Sequence, residues 1–393
     1  MDQIAAHIAR VSPGEVQDVL ARHRPTFYGS MEDLGVGILK FLAEGPTPDR
    51  IQEVRRLITT QISRWSSTSP ILRHSLRKPP GQAVDPELVK ALLEKRPAGA
   101  DIPALVFNDY YKHTVGGSAY RDRLEMLIEA VQDTVSSRAA GAKSVRILCL
   151  HVSGAGEFLT LAQDPTFAEI AEVTCIDSRS VALRDTRRVL QGRLQKRCLF
   201  VHEDALRYAR RPDRSSQPFD IIYGIGVFEH LNMERAIQLA QDCRTLLAPG
   251  GVLYAGSVTV NIPAAEQVLR AWLTGSELQY RDETSWRQIF TQAGFAASAL
   301  RFAYERYKAN VLIRAEKDEE ASLNGHRSAH KSVLRYFNPE SLISTATVLP
   351  WCVVLNSLSA AATLAPDENP AKMPSSRASR RAVWTASSSL TFK

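Results

Sequence analysis

The sequence predicts an α/β protein: a doubly wound, mostly parallel seven-stranded sheet with a helical N-terminal unit and a partly disordered C-terminal tail. Three observations predict it. Five short, nearly continuous apolar runs (VRILCL, EVTCID, RCLFVHED, FDIIYGIG and GGVLYAGSV) lie between Val145 and Val258. Such runs suit strands buried on both faces. Amphipathic segments of helical period separate them, which favours parallel pairing through crossovers. Two further strand-like runs, ASALRFAYE and KANVLIRAE, close the pattern.

The first hundred residues read as helical. Ser12-Pro13-Gly14-Glu15 has capping-box spacing before EVQDVLARH. Thr47-Pro48-Asp49 opens RIQEVRRLITTQISRW, where Ile51, Val54, Leu57, Ile58 and Ile62 recur at helical spacing. Asp85-Pro86-Glu87 opens a third helix, LVKALLEKR. The helices expected between the strands are GEFLTLAQ, SVALRDTRRVLQGRL and MERAIQLAQDCRTLLAPGG, the last with a Pro-Gly-Gly stop. WRQIFTQAGF reads as a helix with a Gly stop. Three regions follow: a helical unit over 1–103, the α/β domain over 104–317 and a low-order tail over 318–393. The tail holds a stretch without charged residues, 341–366, and a Ser/Arg-rich end, 371–393, whose composition predicts disorder.

The chain has 393 residues, 44% hydrophobic and 23% charged. These values exclude a wholly disordered chain, a collagen-like fibre and a polytopic membrane protein. Lys and Arg number 49 against 42 Asp and Glu, a formal charge of +7. That excess is too small to argue for nucleic acid. Five basic residues and no acidic one stand in 371–393, so much of the excess sits in the tail. Cys149, Cys175, Cys198, Cys243 and Cys352 form no CxxC pair and have no His at metal-ligand spacing. No metal site is expected, and the thiols read as buried apolar groups of a reducing compartment. The N-terminus lacks a long apolar run, so a cytoplasmic protein is expected. For 341–366 a membrane span stands against a loosely packed segment. Peripheral contact of the tail with an anionic membrane is a further expectation. Oligomeric state is not legible.

In a doubly wound sheet the ligand sits at the carboxyl ends of the strands, so the strand ends are where chemistry is expected. The first ends in His151-Val152-Ser153-Gly154-Ala155-Gly156-Glu157. Small residues there let a ligand approach the backbone N–H groups of the next helix; an ordinary tight turn looks the same. The second strand ends at Asp177, about 24 residues on, where a carboxylate can accept ribose hydroxyls or simply cap a helix. The third ends in Asp204-Ala205, an acid followed by a backbone N–H that suit an adenine edge. Turn and carboxylates in register favour a nucleoside ligand.

The order of small-residue turn, Asp177, Asp204-Ala205, FDIIYGIGVFEHL and LLAPGGVLYAGSV resembles the class I S-adenosylmethionine-dependent methyltransferases. The closing strand pair is also that family's habit. The resemblance covers about residues 104–317 and implies S-adenosylmethionine as cofactor. FNDYYKHTVGGSAYRDRLEML, FDIIYGIGVFEHL and AWLTGSELQYRDETSWRQIFTQAGF are further similar to the methyltransferase group of 3-hydroxypalmitic acid methyl ester biosynthesis. That group's turn reads like GCGPAREV; here HVSGAGEF places His151 and Ser153 where it has glycines.

By family match, Ser153, Gly154 and Gly156 would cradle the methionine part of the cofactor, with Glu157 beside them. Asp177 would bind the ribose, Asp204 and Ala205 the adenine. Gly224 and Gly226 would line the floor under the sulfonium. Tyr120, Arg121, Tyr280 and Arg281 are the polar residues expected over the mouth, on the substrate side. His151 and His230 are the candidates for a local acid or base, and packing roles stay open for both. The implied reaction is methyl transfer to a small-molecule acceptor, with a fatty-acyl carboxylate giving a methyl ester as the single best reading. A carboxylate needs no general base; a hydroxyl does. The alternative is a non-catalytic or weakly active binding or regulatory protein with an eroded cofactor turn. Nucleic-acid methylation is disfavoured, since Tyr223-Gly224-Ile225-Gly226 follows the fourth strand in place of an Asn/Asp-Pro-Pro-aromatic tetrad.

Overall fold

The computed structural model of the protein describes residues 14–66, 68, 69, 71, 101–152, 156–190, 192–211, 217–275 and 278–319. The tail stretches 341–366 and 371–393, the expected helix LVKALLEKR, and Ser153 and Gly154 lie outside the described residues.

Seven strands form one sheet in the order β3-β2-β1-β4-β5-β7-β6. They are β1 (Val145–Cys149), β2 (Ala171–Asp177), β3 (Cys198–His202), β4 (Phe219–Ile225), β5 (Leu247–Val258), β6 (Leu300–Tyr304) and β7 (Asn310–Glu316). The pairs β1–β2, β1–β4, β2–β3 and β4–β5 are parallel, while β7 runs antiparallel to both β5 and β6. The order reverses between β1 and β4, which puts the ligand crevice at the carboxyl ends of those strands.

The apolar runs became strands because helices cover both faces. On one face α4 (Val115–Ala139) lays Leu124, Leu127, Val131 and Val135 against Ile147, Ile221, Val252 and Leu312. On the other, α10 (Met233–Leu246) and α12 (Glu283–Gln292) bring Leu239, Cys243, Trp286 and Phe290 against Leu148, Ile222 and Leu253. Cys149, Cys175 and Cys243 are buried free thiols in these layers, and burial pushes each thiol up from its ordinary pKa.

The two N-terminal helices are α1 (Val16–Ala43) and α2 (Pro48–Ser66). The expected EVQDVLARH helix is therefore much longer and runs through Pro25. Its buried stripe Leu20, Phe27, Met31, Gly35 and Ile38 packs with α3 (Ile102–His113) and α11 (Ala264–Thr274). That burial outweighs the hydrogen bond a proline forfeits. Buried Asp109 of α3 fixes α1 by accepting from Arg24 Nε (2.7 Å), Arg24 Nη2 (2.9 Å) and the Tyr28 hydroxyl (2.7 Å).

Three other expected helices are shorter in the structure: MERAIQLAQDCRTLLAPGG ends at Leu246, and its LAPGG already belongs to β5. GEFLTLAQ is α5 (Gly156–Leu161), with α6 (Pro165–Ile170) after it. SVALRDTRRVLQGRL divides into α7 (Ser180–Val189) and α8 (Gly192–Lys196) at Leu190, which is buried in extended backbone. WRQIFTQ of the segment WRQIFTQAGF lies in α12, and the chain leaves the helix through Gly294 at φ +92. That left-handed backbone suits glycine.

Candidate active site

The carboxyl ends of β1, β2 and β4 gather an unusual number of buried ionisable side chains. Glu157 sits in the first turn of α5, just after β1, and is 2% exposed. Its Oε1 lies 3.8 Å from the Cys149 thiol, and its Oε2 has no hydrogen-bond partner among the described residues. Burial raises this carboxyl from 4.5 to about 7. An orphaned buried carboxylate oxygen calls for a missing partner.

Asp177 ends β2 and is 1% exposed. Its Oδ1 accepts from the Arg179 backbone N–H (2.8 Å) and from Arg179 Nε (3.2 Å). Arg179 Nη2 lies 3.4 Å from Oδ2 and 2.9 Å from His151 Nε2. His151 follows β1 and is buried; its Nε2 is 3.4 Å from Asp177 Oδ2. A guanidinium only donates, so His151 Nε2 is the acceptor and the ring is neutral. Burial agrees, holding His151 down at about 4 against the opposing pull of Asp177.

The remaining expected cofactor residues are placed as follows. Asp204 is exposed and caps α9 (Ala205–Ala209), accepting from the Arg207 N–H at 3.1 Å; half-buried Ala205 opens that helix. Gly156 begins α5. Gly224 and Gly226 are buried at the end of β4. A Cβ on Gly224 would lie 3.2 Å from the Leu150 side chain, and Gly226 has φ +75. Both positions keep side chains off the sheet edge.

Beyond β4 a 3-10 turn, Phe228–His230, carries buried Glu229. Arg123 of α4, 0% exposed, donates to Glu229 Oε2 at 2.9 Å. Burial alone would raise the Glu229 carboxyl, but Arg123, His230 and Arg270 together hold it below its ordinary value. His230 is half-buried and close enough to His151 to disfavour a charge on that ring. Of the residues expected on the substrate side, Tyr120 is buried with the Arg123 guanidinium 5.0 Å from its ring centre. Arg121 donates from Nη2 to the Ser118 hydroxyl at 3.4 Å. Tyr280 is half-buried near Arg270. Arg281 is buried and donates to the carbonyls of Phe228 (3.0 Å) and Leu231, with its guanidinium over Trp286. It braces the turn that holds Glu229.

Sequence reading missed Arg179, Arg123 and Glu229 as part of this site. Arg179 stands two residues after the predicted ribose acid, which is the signal that could have found it. Arg123 lies three residues after Tyr120 and four before Leu127, on the buried face of α4, where a charge needs a partner.

Fold and site together are those of a doubly wound α/β domain whose ligand crevice lies at the carboxyl ends of β1, β2 and β4. Residues 153–253 match the family model described as a methyltransferase domain. No curated protein matches the chain in a sequence comparison. Among solved structures, a possible exported protein from Bordetella parapertussis is similar at 17% identity and TM-score 0.53, over 78% of this chain and 99% of that one; this likeness is one of fold. A putative O-methyltransferase from Nostoc punctiforme is similar at 15% identity and TM-score 0.38, over 53% and 59%. Magnesium protoporphyrin IX methyltransferase from Synechocystis is similar at 13% identity and TM-score 0.37, over 52% and 84%.

The residues present fit the cofactor. S-adenosylmethionine carries an ammonium and a sulfonium, and the buried Glu157 carboxyl just after β1 suits such a cation. The orphaned Glu157 Oε2 and the bare edge at Gly224 and Gly226 are the observations that support it. Arg179 and His151 crowd Asp177 without filling that edge.

Proposed function

We propose that this protein methylates a small-molecule carboxylate, with a fatty-acyl acid as the acceptor and a methyl ester as the product. One observation carries the acceptor class. Arg123, Arg270 and Arg281 all act electrostatically on Glu229, beside the end of β4. Glu266 is the second carboxylate there, 3.5 Å from Arg270. Three guanidiniums against two carboxylates leave an excess positive charge that suits an anionic acceptor.

When bound, S-adenosylmethionine supplies an electrophilic methyl group. The chain's task is then to hold an acceptor oxygen in line with it, and positioning of this kind can contribute several kcal/mol. In this reading Ser153, Gly154 and Gly156 cradle the methionine part, and Glu157 accepts from its ammonium. Asp177 takes the ribose, Asp204 and Ala205 the adenine. Tyr120, Arg121 and Tyr280 line the acceptor side. A carboxylate is already a nucleophile, so His151 and His230 need not serve as bases. Lipid extracts incubated with the protein and labelled cofactor test this directly. Label in a saponifiable methyl ester supports it; label only in products stable to base contradicts it.

A second reading is a binding or regulatory protein on the same fold. It is favoured by the hydrogen bonds that already occupy Asp177. It expects cofactor binding without turnover of any acyl acid.

A further inference from the structure

Asp177 is the acid a ribose would use, yet three of its about four acceptor positions are taken by one residue. Arg179 donates its backbone N–H and Nε to Oδ1 and points Nη2 at Oδ2. The remaining approach to Oδ2 faces His151 Nε2 at 3.4 Å. That nitrogen is an acceptor, because the Arg179 Nη2 beside it, at 2.9 Å, can only donate. Two acceptors therefore face each other, and the guanidinium is what lets them do so. Ribose hydroxyls can reach the carboxylate only if that guanidinium leaves. It has a route: the Arg179 side chain is 18% exposed while that of Asp177 is fully buried. The backbone N–H bond to Oδ1 can stay when the side chain swings out.

We infer that Arg179 sets the affinity of the cofactor site, its guanidinium competing with the ribose hydroxyls for Asp177 and swinging out when the nucleoside binds. His151 is the positioning residue of this latch, holding Nη2 from the far side. The inference rests on the cofactor reading above. It adds that the wild-type site is deliberately weak, because every binding event must break the Arg179–Asp177 contacts.

Two measurements on the full chain test it. The first is calorimetric titration with S-adenosylhomocysteine of the wild type and Arg179→Ala, with thermal melts confirming that both are folded. Arg179→Ala is expected to bind at least 10-fold more tightly, equivalent to about 1.4 kcal/mol. Unchanged or weaker binding in Arg179→Ala overturns the latch while leaving the cofactor reading intact. Absence of binding to either form at millimolar ligand overturns both. The second follows the Arg179 Nε–H resonance of the wild type, assigned by its loss in Arg179→Lys. It is expected to move to the position of a solvent-exposed guanidinium on adding S-adenosylhomocysteine. A resonance that stays in place at saturation overturns the latch.

Discussion

His151 and Glu157 flank the same turn, and burial moves them in opposite directions. His151 has its folded pKa lowered to about 4 from 6.5, so the folded chain binds fewer protons than the unfolded one between those values. Stability then rises with pH across that window. Glu157 has its folded pKa raised to about 7 from 4.5, so the folded chain binds more protons there, and stability falls as pH rises. Each effect is worth about 3 kcal/mol at most, and over pH 4.5–6.5 they oppose each other. Urea unfolding at several pH values separates them. Relative to wild type, His151→Gln should show stability declining from about pH 4 to 6.5. Glu157→Gln should show it climbing from about pH 4.5 to 7. Two parallel profiles would refute the opposed shifts. Arg123 makes a second prediction at this scale. Arg123→Met leaves the Glu229 carboxylate buried beside the turn without its 2.9 Å partner, which should cost about 3 kcal/mol. The double variant Arg123→Met/Glu229→Leu should recover most of it. A single variant as stable as wild type would show that the pair does not hold α4 to the turn.

Among the elements, α1 shows how two glycines of one helix can differ. A Cβ on Gly35 would come 2.9 Å from both the side chain and the carbonyl of Ala265 in α11. The helices cross there because no side chain intervenes. Gly37 meets nothing within 4 Å. Gly37→Ala is therefore expected to stabilise by about 0.5–1 kcal/mol through helix propensity. Gly35→Ala should instead destabilise by about 1–3 kcal/mol, since overpacking outweighs propensity. Denaturant midpoints decide it, and the account fails if both changes act in the same direction. The central strands β1 and β4 were legible because burial on both faces writes itself as VRILCL or FDIIYGIG with no alternation to misread, whereas β3 lies half-exposed, with Leu199 on its open face. The length of α1 was not. Pro25 reads locally as a stop, and only the stripe from Leu20 to Ile38 against α3 and α11 overrides it. The division of α7 from α8 was hidden for a related reason: Leu190 fits a helical period but is buried in extended backbone instead.

At the scale of the whole molecule, the succession of seven strands and the place of Asp177 at the end of β2 are what sequence conveyed best. Asp177 was readable because a strand end is marked by where its apolar run stops. Arg179 was adjacent and still missed, since a side chain that folds back on its own neighbour leaves no periodic signature. Arg123 and Glu229 are 106 residues apart, and no local pattern joins them. The tail makes a prediction of its own. Among the described residues no helix is long and apolar enough to cross a membrane, and the basic residues of 371–393 follow an uncharged stretch. Deleting 341–393 is expected to abolish binding to anionic vesicles and to leave cofactor affinity unchanged, as sedimentation and calorimetry would show. Vesicle binding that survives the deletion would place the contact elsewhere.

The central claim is that the edge of this sheet binds S-adenosylmethionine through Asp177. Equilibrium titration of the full chain with the cofactor tests it most directly. Saturable one-to-one binding is predicted, weakened about 10–100-fold in Asp177→Ala by loss of hydrogen bonds to a charged group. Equal affinity in the two proteins, or no binding by either, would contradict it.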